Sequence, residues 1–156
     1  MIELTHNPID FAAVLASVNS HDAGANVLFT GTTRRMTGNE ETIRLDYDGY
    51  HDMAVSELTK LANEAKQKWP VIACSIVHRL GTVELGEASV AVAVSTPHRS
   101  ESFAAAEWIL NQLKQRVPIW KRDHRPGGVS QWQHPDSGRV SAFSPPSNDE
   151  QPESKA

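Results

Sequence analysis

The segment from Lys114 to Arg125 holds the densest group of residues that could do chemistry. Its cations outnumber its acids by five to one, with Lys114, Arg116, Lys121, Arg122 and Arg125 against Asp123. The whole chain carries a formal net charge of −4 at pH 7, so positive charge is concentrated in this segment. Such a concentration indicates a site for a specific anion, such as a phosphate or a carboxylate. The alternative is a solvated helix end, where the helix dipole favours lysine and arginine.

Lys114 is the residue of this segment best placed for nucleophilic attack or proton transfer. It follows Leu113 and lies four residues after Leu110, at the edge of the apolar stripe of a predicted helix. Partial desolvation there, together with cationic neighbours, would favour the neutral amine that a nucleophile or general base requires. Lys121 lies just past Pro118 and can curl back toward the same place.

Two further strand ends carry side chains that could bind an anion. His98 and Arg99 stand between the strongest predicted strand and the strongest predicted helix, and backbone N–H groups at a helix N-terminus bind anions. Arg34 and Arg35 follow another predicted strand. Each position also has an ordinary interpretation, as a connection capped by Ser100 in the first case and as a solubilising loop in the second.

Several other kinds of site are not expected. The histidines form no His-x-x-x-His pair on a helix and no cluster with acids at metal-ligand spacing, so we expect no metal site. The glycine patterns of the dinucleotide-binding and Walker loops are missing. The single cysteine, Cys74, lies among apolar residues of a predicted strand and is expected to be a small core side chain.

Length and composition indicate one ordinary globular domain. The chain has 156 residues, of which 39% are hydrophobic and 22% charged, close to the average for such domains. An acidic net charge argues against a general nucleic-acid-binding protein. The sequence shows no signal peptide and no apolar run long enough to span a bilayer, so a cytoplasmic enzyme or binding module is expected.

Three amphipathic helices are predicted from apolar residues at helical spacing. The first begins at an N-cap, Asn7, the second is capped by Asp52, and the third ends at Pro118. The predicted stripes are Phe11, Val14, Leu15 and Val18 in the first helix, Ala54, Leu58, Leu61, Ala62, Ala65 and Trp69 in the second, and Phe103, Ala106, Leu110, Leu113 and Val117 in the third.

Strands are predicted over residues 25–30, 43–48, 71–78 and 88–95, with a short extra strand or hairpin within 79–87. In the strand 88–95 the valines share one face and the alanines the other, and we expect the third helix to pack closely on the alanines. Without regular βαβ alternation, this pattern predicts an α+β fold.

The remaining segments are predicted to be irregular. Residues 32–42 contain almost nothing apolar and are expected to form a mobile, exposed loop. Trp132 is the last expected core residue, and the Ser-, Pro- and acid-rich residues 141–156 are expected to be a disordered tail behind a domain of residues 1–140.

Five segments, in order and at matching spacing, resemble one known family. The sequence is similar to the large, catalytic subunit of molybdopterin synthase from about Asn7 to Trp132. The segments that carry the likeness are FTGTTR at 29–34, VHRLG at 77–81, GEASV at 86–90, TPHR at 96–99 and LKQRVPIWKR at 113–122.

The resemblance implies a sulfurtransferase without a cofactor. That family converts cyclic pyranopterin monophosphate into the dithiolene molybdopterin, for molybdenum cofactor biosynthesis. Sulfur arrives as the C-terminal thiocarboxylate of a small ubiquitin-like subunit ending in Gly-Gly. Two large subunits form a central homodimer with one small subunit at each end, a heterotetramer. The implied fold is α+β of the α/β-hammerhead type, with a mixed or antiparallel sheet and about three helices.

The resemblance also assigns residues. Lys114 and Lys121 correspond to the catalytic lysines, and Arg34, His98 and Arg99 to positions that bind the phosphate and the pterin. Thr32 stands where the family often has lysine, and its hydroxyl would bind a phosphate instead. The implied substrate-binding set is Thr32, Thr33, Arg34, His98, Arg99, Lys114, Lys121, Arg122 and Asp123.

Two other functions remain open from the sequence. The first is a non-catalytic module that binds an anionic nucleotide through the same cations. The second is a scaffold protein that grips a ubiquitin-like tail and does no chemistry, for which arginine would serve at position 114 as well as lysine.

Overall fold

The computed structural model of the protein describes residues 1–128, 130 and 132–133. These residues form three helices and ten strands, which confirms the predicted α+β class. The helices are α1 (Phe11–Ala16), α2 (His51–Lys68) and α3 (Arg99–Arg116). The strands are β1 (Ile2–Thr5), β2 (Ala25–Thr32), β3 (Met36–Thr37), β4 (Glu40–Glu41), β5 (Arg44–Gly49), β6 (Ala73–Arg79), β7 (Gly81–Glu84), β8 (Ala88–Thr96), β9 (Ile119–His124) and β10 (Trp132–Gln133).

The strands are arranged in two four-stranded sheets and one small hairpin. The first sheet has the order β1-β6-β8-β2 and is mixed, because β1 runs parallel to β6 while the other pairs are antiparallel. The second sheet has the order β10-β9-β5-β7 and is antiparallel throughout. The hairpin joins β3 to β4.

The two faces of β8 pack against different helices from those expected. Val92 and Val94 lie in the main core cluster with buried residues of α2 and α3. Ala91 and Ala93 pack instead against Val14 of the short helix α1 and its neighbours. The prediction that α3 covers the alanine face is therefore wrong. The long helices supply enough apolar side chains to cover the branched face, and the small face accommodates the shorter helix closely.

The positions of the helices were predicted better than their caps. The stripe of α2 is buried as expected, from Ala54 to Ala65. At α1, the cap is Asp10 rather than Asn7, and its carboxylate accepts a hydrogen bond from the Ala13 N–H at 3.0 Å. The cap of α2 is Tyr50, which places Asp52 in the first turn.

Helix α3 is rotated relative to the predicted stripe. Its buried residues are Ser102, Ala105, Ala106, Ile109 and Leu113, whereas Phe103 is 63% exposed. The cap is His98 rather than Ser100. Ser102 is buried because its hydroxyl lies 2.5 Å from that of Thr96, a partner that periodicity cannot reveal.

Two segments differ from their predictions, and a third agrees with its prediction. Residues 32–42 are largely exposed but include the β3–β4 hairpin, and β1 was not predicted at all. The extra strand within 79–87 exists as β7, and it pairs with β5 in the second sheet. The boundary at residue 140 and the predicted tail lie outside the described residues. Within the described part of the chain, no helix is both long and apolar enough to cross a bilayer.

Candidate active site

The basic segment spans the end of α3 and most of β9. Lys114 lies in the last turn of α3 and is exposed. Lys121, Arg122 and Asp123 are consecutive residues of β9 and are half-buried. The chain passes from helix to strand through Val117 and Pro118, because proline cannot continue the helical hydrogen bonds.

The arginines of this segment are paired with carboxylates from other elements. Arg116 binds two acids of α2, at 2.8 Å to Glu64 and 3.3 Å to Glu57. Arg122 lies 3.1 Å from Asp46 of β5, and Arg125 lies 2.7 Å from Glu40 of β4. Much of the concentrated positive charge is therefore neutralised in the fold.

The two lysines differ from the arginines. Across residues 1–128, 130 and 132–133, neither Lys114 nor Lys121 forms a hydrogen bond or ion pair, so both amines are available to a ligand. The exposure of Lys114 corrects one expectation from the sequence. Burial within this chain does not desolvate its amine, because the side chain projects from the last turn of α3 into solvent.

Lys121 projects toward the inner side of the second sheet. It lies directly opposite Tyr47 of β5, and opposed residues of an antiparallel pair point to the same face. The Tyr47 ring packs against the main core and meets His78 of the first sheet edge-on, with ring centroids 5.0 Å apart. Burial raises the pKa of Tyr47, a hydrogen bond with Ser89 opposes that shift, and the charge of Asp123 reinforces it.

The end of β2 reaches the same region. The Ser89 hydroxyl that bonds Tyr47 also lies 3.4 Å from the Gly31 carbonyl. Beyond Gly31, Thr32 is exposed, whereas Thr33 is 97% buried, with 3% of its surface accessible. Arg34 is exposed, and its Nε donates to the Thr37 hydroxyl at 3.2 Å. Thr32 and Arg34 thus share the end of the sheet that lies beside Tyr47.

Thr33 is held by its backbone. Its N–H donates to the Glu87 carbonyl at 2.9 Å, and its own carbonyl accepts from the Gly86 N–H at 2.8 Å. The Thr33 hydroxyl is buried without a hydrogen-bond partner among the described residues. A hydroxyl sealed in this way does not reach a ligand in this conformation, which distinguishes Thr33 from Thr32.

Asp123 and Arg122 are each held by side chains of neighbouring segments. The Asp123 carboxylate accepts a hydrogen bond from the Thr42 hydroxyl at 2.8 Å. The Arg122 guanidinium lies 4.8 Å from the ring centre of Trp132, in a cation–π contact. Trp132 is therefore half-buried against β9 rather than within the main core.

His98 and Arg99 lie at the opposite end of the first sheet from Arg34. In the β2–β8 pair, Thr32 is opposite Ala88 and Ala25 is opposite Thr96. Seven residue steps of strand separate the two ends, which is roughly 23 Å at about 3.3 Å per residue. One chain therefore does not bring Arg34 and Arg99 onto a single phosphate.

The connection that carries His98 and Arg99 is tightly fixed. The Thr96 hydroxyl donates to the His98 carbonyl at 2.6 Å and contacts the buried Ser102 hydroxyl. Gly24 lies so close that an added Cβ would stand 2.3 Å from the Pro97 carbonyl oxygen. The exposed side chains of His98 and Arg99 are thus presented from a tightly held backbone at the N-terminus of α3.

Sequence reasoning missed Asp46 and His124. Asp46 accepts hydrogen bonds from Arg122 and from His124, whose Nε2 lies 2.6 Å away. The alternation in residues 43–48 predicted the strand that carries Asp46, but no local signal showed that this strand pairs with β9. Only the pairing makes the two residues neighbours.

Cys74 is a buried core side chain, as the sequence predicts. Burial raises the pKa of its thiol to about 11, so the nucleophilic thiolate is disfavoured. Among the described residues, no group of three or more His, Cys, Asp or Glu side chains is arranged to hold a metal ion.

Comparison with known proteins gives one consistent family. The family model described as MoaE protein matches residues 4–116. The molybdopterin synthase catalytic subunit of Bacillus subtilis (strain 168) is 40% identical over 121 residues, which cover 78% of this chain and 77% of that protein. That of Thermoplasma volcanium is 38% identical over 131 residues, covering 84% and 96%.

Solved structures agree with the sequence relatives. Molybdopterin synthase from Staphylococcus aureus superimposes with a TM-score of 0.80 at 36% identity, covering 84% of this chain and 95% of that one. A chain from the complex of subunits 1 and 2 of molybdopterin-converting factor from Helicobacter pylori shares the fold, with a TM-score of 0.65, 23% identity and coverage of 78% and 83%. From these matches, the chain belongs to the MoaE family of molybdopterin synthase catalytic subunits.

Proposed function

We propose that this protein transfers sulfur from the C-terminal thiocarboxylate of a small ubiquitin-like subunit to cyclic pyranopterin monophosphate, with Lys114 and Lys121 as the catalytic residues. One observation carries the proposal. Within a segment whose arginines are all neutralised by carboxylates, the two lysines alone keep unpaired amines. Those are the two positions that the family resemblance assigns to catalysis.

Lys114 acts where the sulfur is delivered. The thiocarboxylate sulfur forms a C–S bond to a side-chain carbon of the pterin while a C–O bond to that carbon breaks, and the departing oxygen leaves as water or stays on the phosphate. Water then cleaves the acyl C–S bond, which leaves sulfur on the pterin and a carboxylate on the tail. Lys114 stabilises the developing charge and moves protons during the attack. Lys121 assists a second proton transfer or holds the intermediate. Two sulfurs require two tails in succession.

The partner's tail completes the environment of Lys114. Its amine is exposed in the isolated chain, so the desolvation that favours a neutral amine has to come from a docked tail. An anionic thiocarboxylate is also attracted to an unpaired cation. The Helicobacter pylori chain of the same fold belongs to a complex of two different subunits, which is consistent with such a partner.

The phosphate-binding residues are divided between two copies of the chain. Arg34 lies at one end of the β2–β8 pair, while His98 and Arg99 lie at the other. A site that uses all three residues therefore draws them from different subunits of a homodimer. Thr32 is exposed at the Arg34 end and offers its hydroxyl to the phosphate, whereas the buried hydroxyl of Thr33 does not.

A single-turnover assay tests the catalytic proposal. The full chain is mixed with cyclic pyranopterin monophosphate and a thiocarboxylated ubiquitin-like partner, and the dithiolene product is measured. Lys114→Ala is expected to lower the rate by at least about 100-fold, in line with the loss of a proton-transfer catalyst. Its melting temperature should stay at the wild-type value, because Lys114 is exposed and has no bond to lose. Wild-type activity in this variant would remove the central claim.

Lys114→Arg distinguishes catalysis from charge alone. Arginine keeps the positive charge but does not lose a proton at any ordinary pH. We expect the variant to bind the partner's tail and still fail to turn over. Full turnover in Lys114→Arg would favour the tail-binding scaffold, and tight pterin binding without turnover in the wild type would favour the non-catalytic module.

Mixed dimers test the division of the site between subunits, because Arg99 and Lys114 lie at opposite ends of α3, roughly 22 Å apart at about 1.5 Å per residue. Lys114→Ala and Arg99→Ala homodimers are both expected to be inactive. After subunit exchange, a mixed dimer contains one site with both native residues, so about a quarter of wild-type activity per chain should return. No recovery in dimers shown to be mixed would place Lys114 and Arg99 in the same subunit's site.

A further inference from the structure

Asp46 is the centre of a polar network on the outer face of the second sheet. Its Oδ2 lies 2.6 Å from Nε2 of His124 and 3.1 Å from Nη2 of Arg122, both on β9. Its Oδ1 accepts from the Thr82 hydroxyl of β7 at 2.9 Å, and the Arg44 guanidinium stands 3.9 Å away. One carboxylate thus joins three adjacent strands.

The carboxylate is well shielded and ionised. Only 14% of the Asp46 side chain is exposed. Burial by itself raises the pKa of this group, but the hydrogen bonds from His124, Thr82 and Arg122 outweigh burial and leave the pKa below its usual value. An ionised carboxylate only accepts hydrogen bonds, so Nε2 of His124 is the donor in that pair.

Arg122 and His124, the two β9 side chains that Asp46 holds, lie on the opposite face of the strand from Lys121. Arg122 and His124 lie on the outer face, so the alternate residues Lys121 and Asp123 point to the inner face, where Tyr47 and the buried Val83 lie. A register shift of one residue would turn Lys121 outward and bring Arg122 inward.

Backbone pairing alone does not select this register over a shifted one. On its far side β9 pairs, among the described residues, with the two residues of β10. A ladder between β5 and β9 shifted by one residue would form equivalent backbone hydrogen bonds. The register therefore depends on which side chains of β9 suit the inner face of the sheet and which suit the outer face. On the outer face, Asp46 binds two of the β9 side chains, Arg122 and His124.

We propose that Asp46 is a positioning residue for Lys121, acting by fixing Arg122 and His124 on the outer face of β9. The proposal rests on the catalytic role proposed for Lys121. Asp46 itself stays on the opposite face of the sheet from Tyr47 and touches neither substrate nor sulfur. Asp46 affects the reaction by fixing the direction of the Lys121 side chain and limiting its motion.

Steady-state kinetics of Asp46→Asn provide the first test. Asparagine keeps the size of the side chain but loses the charge that binds Arg122 and His124. We expect kcat to fall about 10-fold, since small misplacements of a catalytic group are costly, and KM for the pterin to stay within about 2-fold. The matched control is Asp10→Ala, which removes the cap of α1 at a cost of about 1 kcal/mol and leaves β9 untouched. Its kcat should equal that of the wild type.

A double-mutant cycle asks whether Asp46 acts through Lys121. In a Lys121→Ala background, Asp46→Asn should lower kcat by less than about 2-fold, because the group that it positions is gone. A further 10-fold loss in that background would show an independent effect and overturn the proposal.

A spectroscopic measurement tests the positioning of Lys121 by Asp46 without requiring turnover. Lysines of the full chain are labelled by reductive ¹³C-methylation, and the Lys121 signal is assigned by its loss in Lys121→Arg. We expect this signal to be displaced by the nearby Tyr47 ring and to move toward the exposed-lysine position in Asp46→Asn, while the Lys114 signal stays in place. An unmoved Lys121 signal overturns the positioning role. An inactive wild type with a moved signal would instead count against the proposed sulfur transfer alone.

Discussion

At the scale of single residues, the distinction that matters is between paired and unpaired polar groups. Arg116, Arg122 and Arg125 are bound to carboxylates and mainly connect elements, whereas Lys114 and Lys121 are not. The composition of the segment predicted an anion site but did not show which cations would be available to an anion. The available ones are lysines, whose amines can lose a proton as well as carry a charge.

Thr33 and Thr42 offer a prediction at this scale, because both are buried threonines with opposite hydrogen-bond states. The Thr33 hydroxyl has no partner among the described residues, so Thr33→Val should raise the free energy of unfolding by about 1 kcal/mol. KM for the pterin should not change, since the hydroxyl is sealed from solvent. Urea unfolding and steady-state kinetics measure the two quantities.

The control for this experiment is the same exchange at Thr42. Its hydroxyl donates to Asp123 at 2.8 Å, so Thr42→Val should lower the free energy of unfolding by about 1–2 kcal/mol. A destabilised Thr33→Val, or one with a raised KM for the pterin, would return the Thr33 hydroxyl to the set of ligand-binding groups.

At the scale of elements, two strand pairs decide what the site contains. The β5–β9 pair brings Tyr47 beside Lys121 and Asp46 beside Arg122. The β2–β8 pair separates Arg34 from Arg99 by its own length. Neither pair joins neighbouring segments of the chain, and strand pairing over such sequence distances is set by the global packing of the sheets and helices.

The close approach of Gly24 to Pro97 gives a prediction at the element scale. In Gly24→Ala the new Cβ would lie 2.3 Å from the Pro97 carbonyl oxygen, so the connection to α3 has to move. We expect a loss of about 1–3 kcal/mol in the free energy of unfolding and weaker binding of the phosphate-bearing pterin through His98 and Arg99. Equilibrium binding by fluorescence and urea unfolding are the measurements.

Gly127→Ala serves as the comparison for this variant. Gly127 has φ of 92°, which an L-residue rarely adopts, but an added Cβ would meet nothing within 4 Å. This variant should lose about 1 kcal/mol through backbone strain and keep its affinity for the pterin. Equal losses of affinity in both variants would mean that reduced stability, and not the displaced connection, weakens binding.

At the scale of the whole molecule, the two four-stranded sheets meet through a buried aromatic contact. His78 of the first sheet lies edge-on against Tyr47 of the second, and its Nδ1 lies 2.9 Å from the Arg79 carbonyl. Burial lowers the pKa of His78 to about 4, against the opposing effect of that backbone bond. The junction therefore contains a histidine that the fold keeps neutral.

The buried histidine predicts a pH dependence of stability. In the unfolded chain His78 takes up a proton below about pH 6.5, whereas in the fold it stays neutral down to about 4. The unfolded state then binds more protons, so the free energy of unfolding falls as pH is lowered through this window. Between pH 7 and pH 5 the loss should be about 2 kcal/mol.

Urea unfolding of His78→Asn tests this dependence. The asparagine amide can replace Nδ1 as donor to the Arg79 carbonyl but does not titrate. The variant is expected to be less stable at pH 7, because ring packing is lost, and to show little change between pH 7 and pH 5. His21→Asn controls for the exchange itself at an exposed position. A His78→Asn variant with the wild-type pH slope would assign that slope to other groups.

The sequence by itself determined the fold class and the approximate position of each long helix, and it singled out the two lysines that we propose as catalytic. These follow from local information, since helical and strand periodicities record which side of an element is buried, and motif spacing records the family. The sequence also placed Cys74 in the core correctly.

Only the tertiary structure decided which residues meet. It placed α3 on the valine face of β8, paired the arginines with distant acids, and put Arg34 and Arg99 at opposite ends of one strand pair. It also brought Asp46 to β9, across 76 residues of sequence from Arg122. Such contacts depend on the pairing of strands that are remote in sequence. That pairing is set by the free energy of the whole packed domain, and the residue pattern of either strand alone does not reveal it.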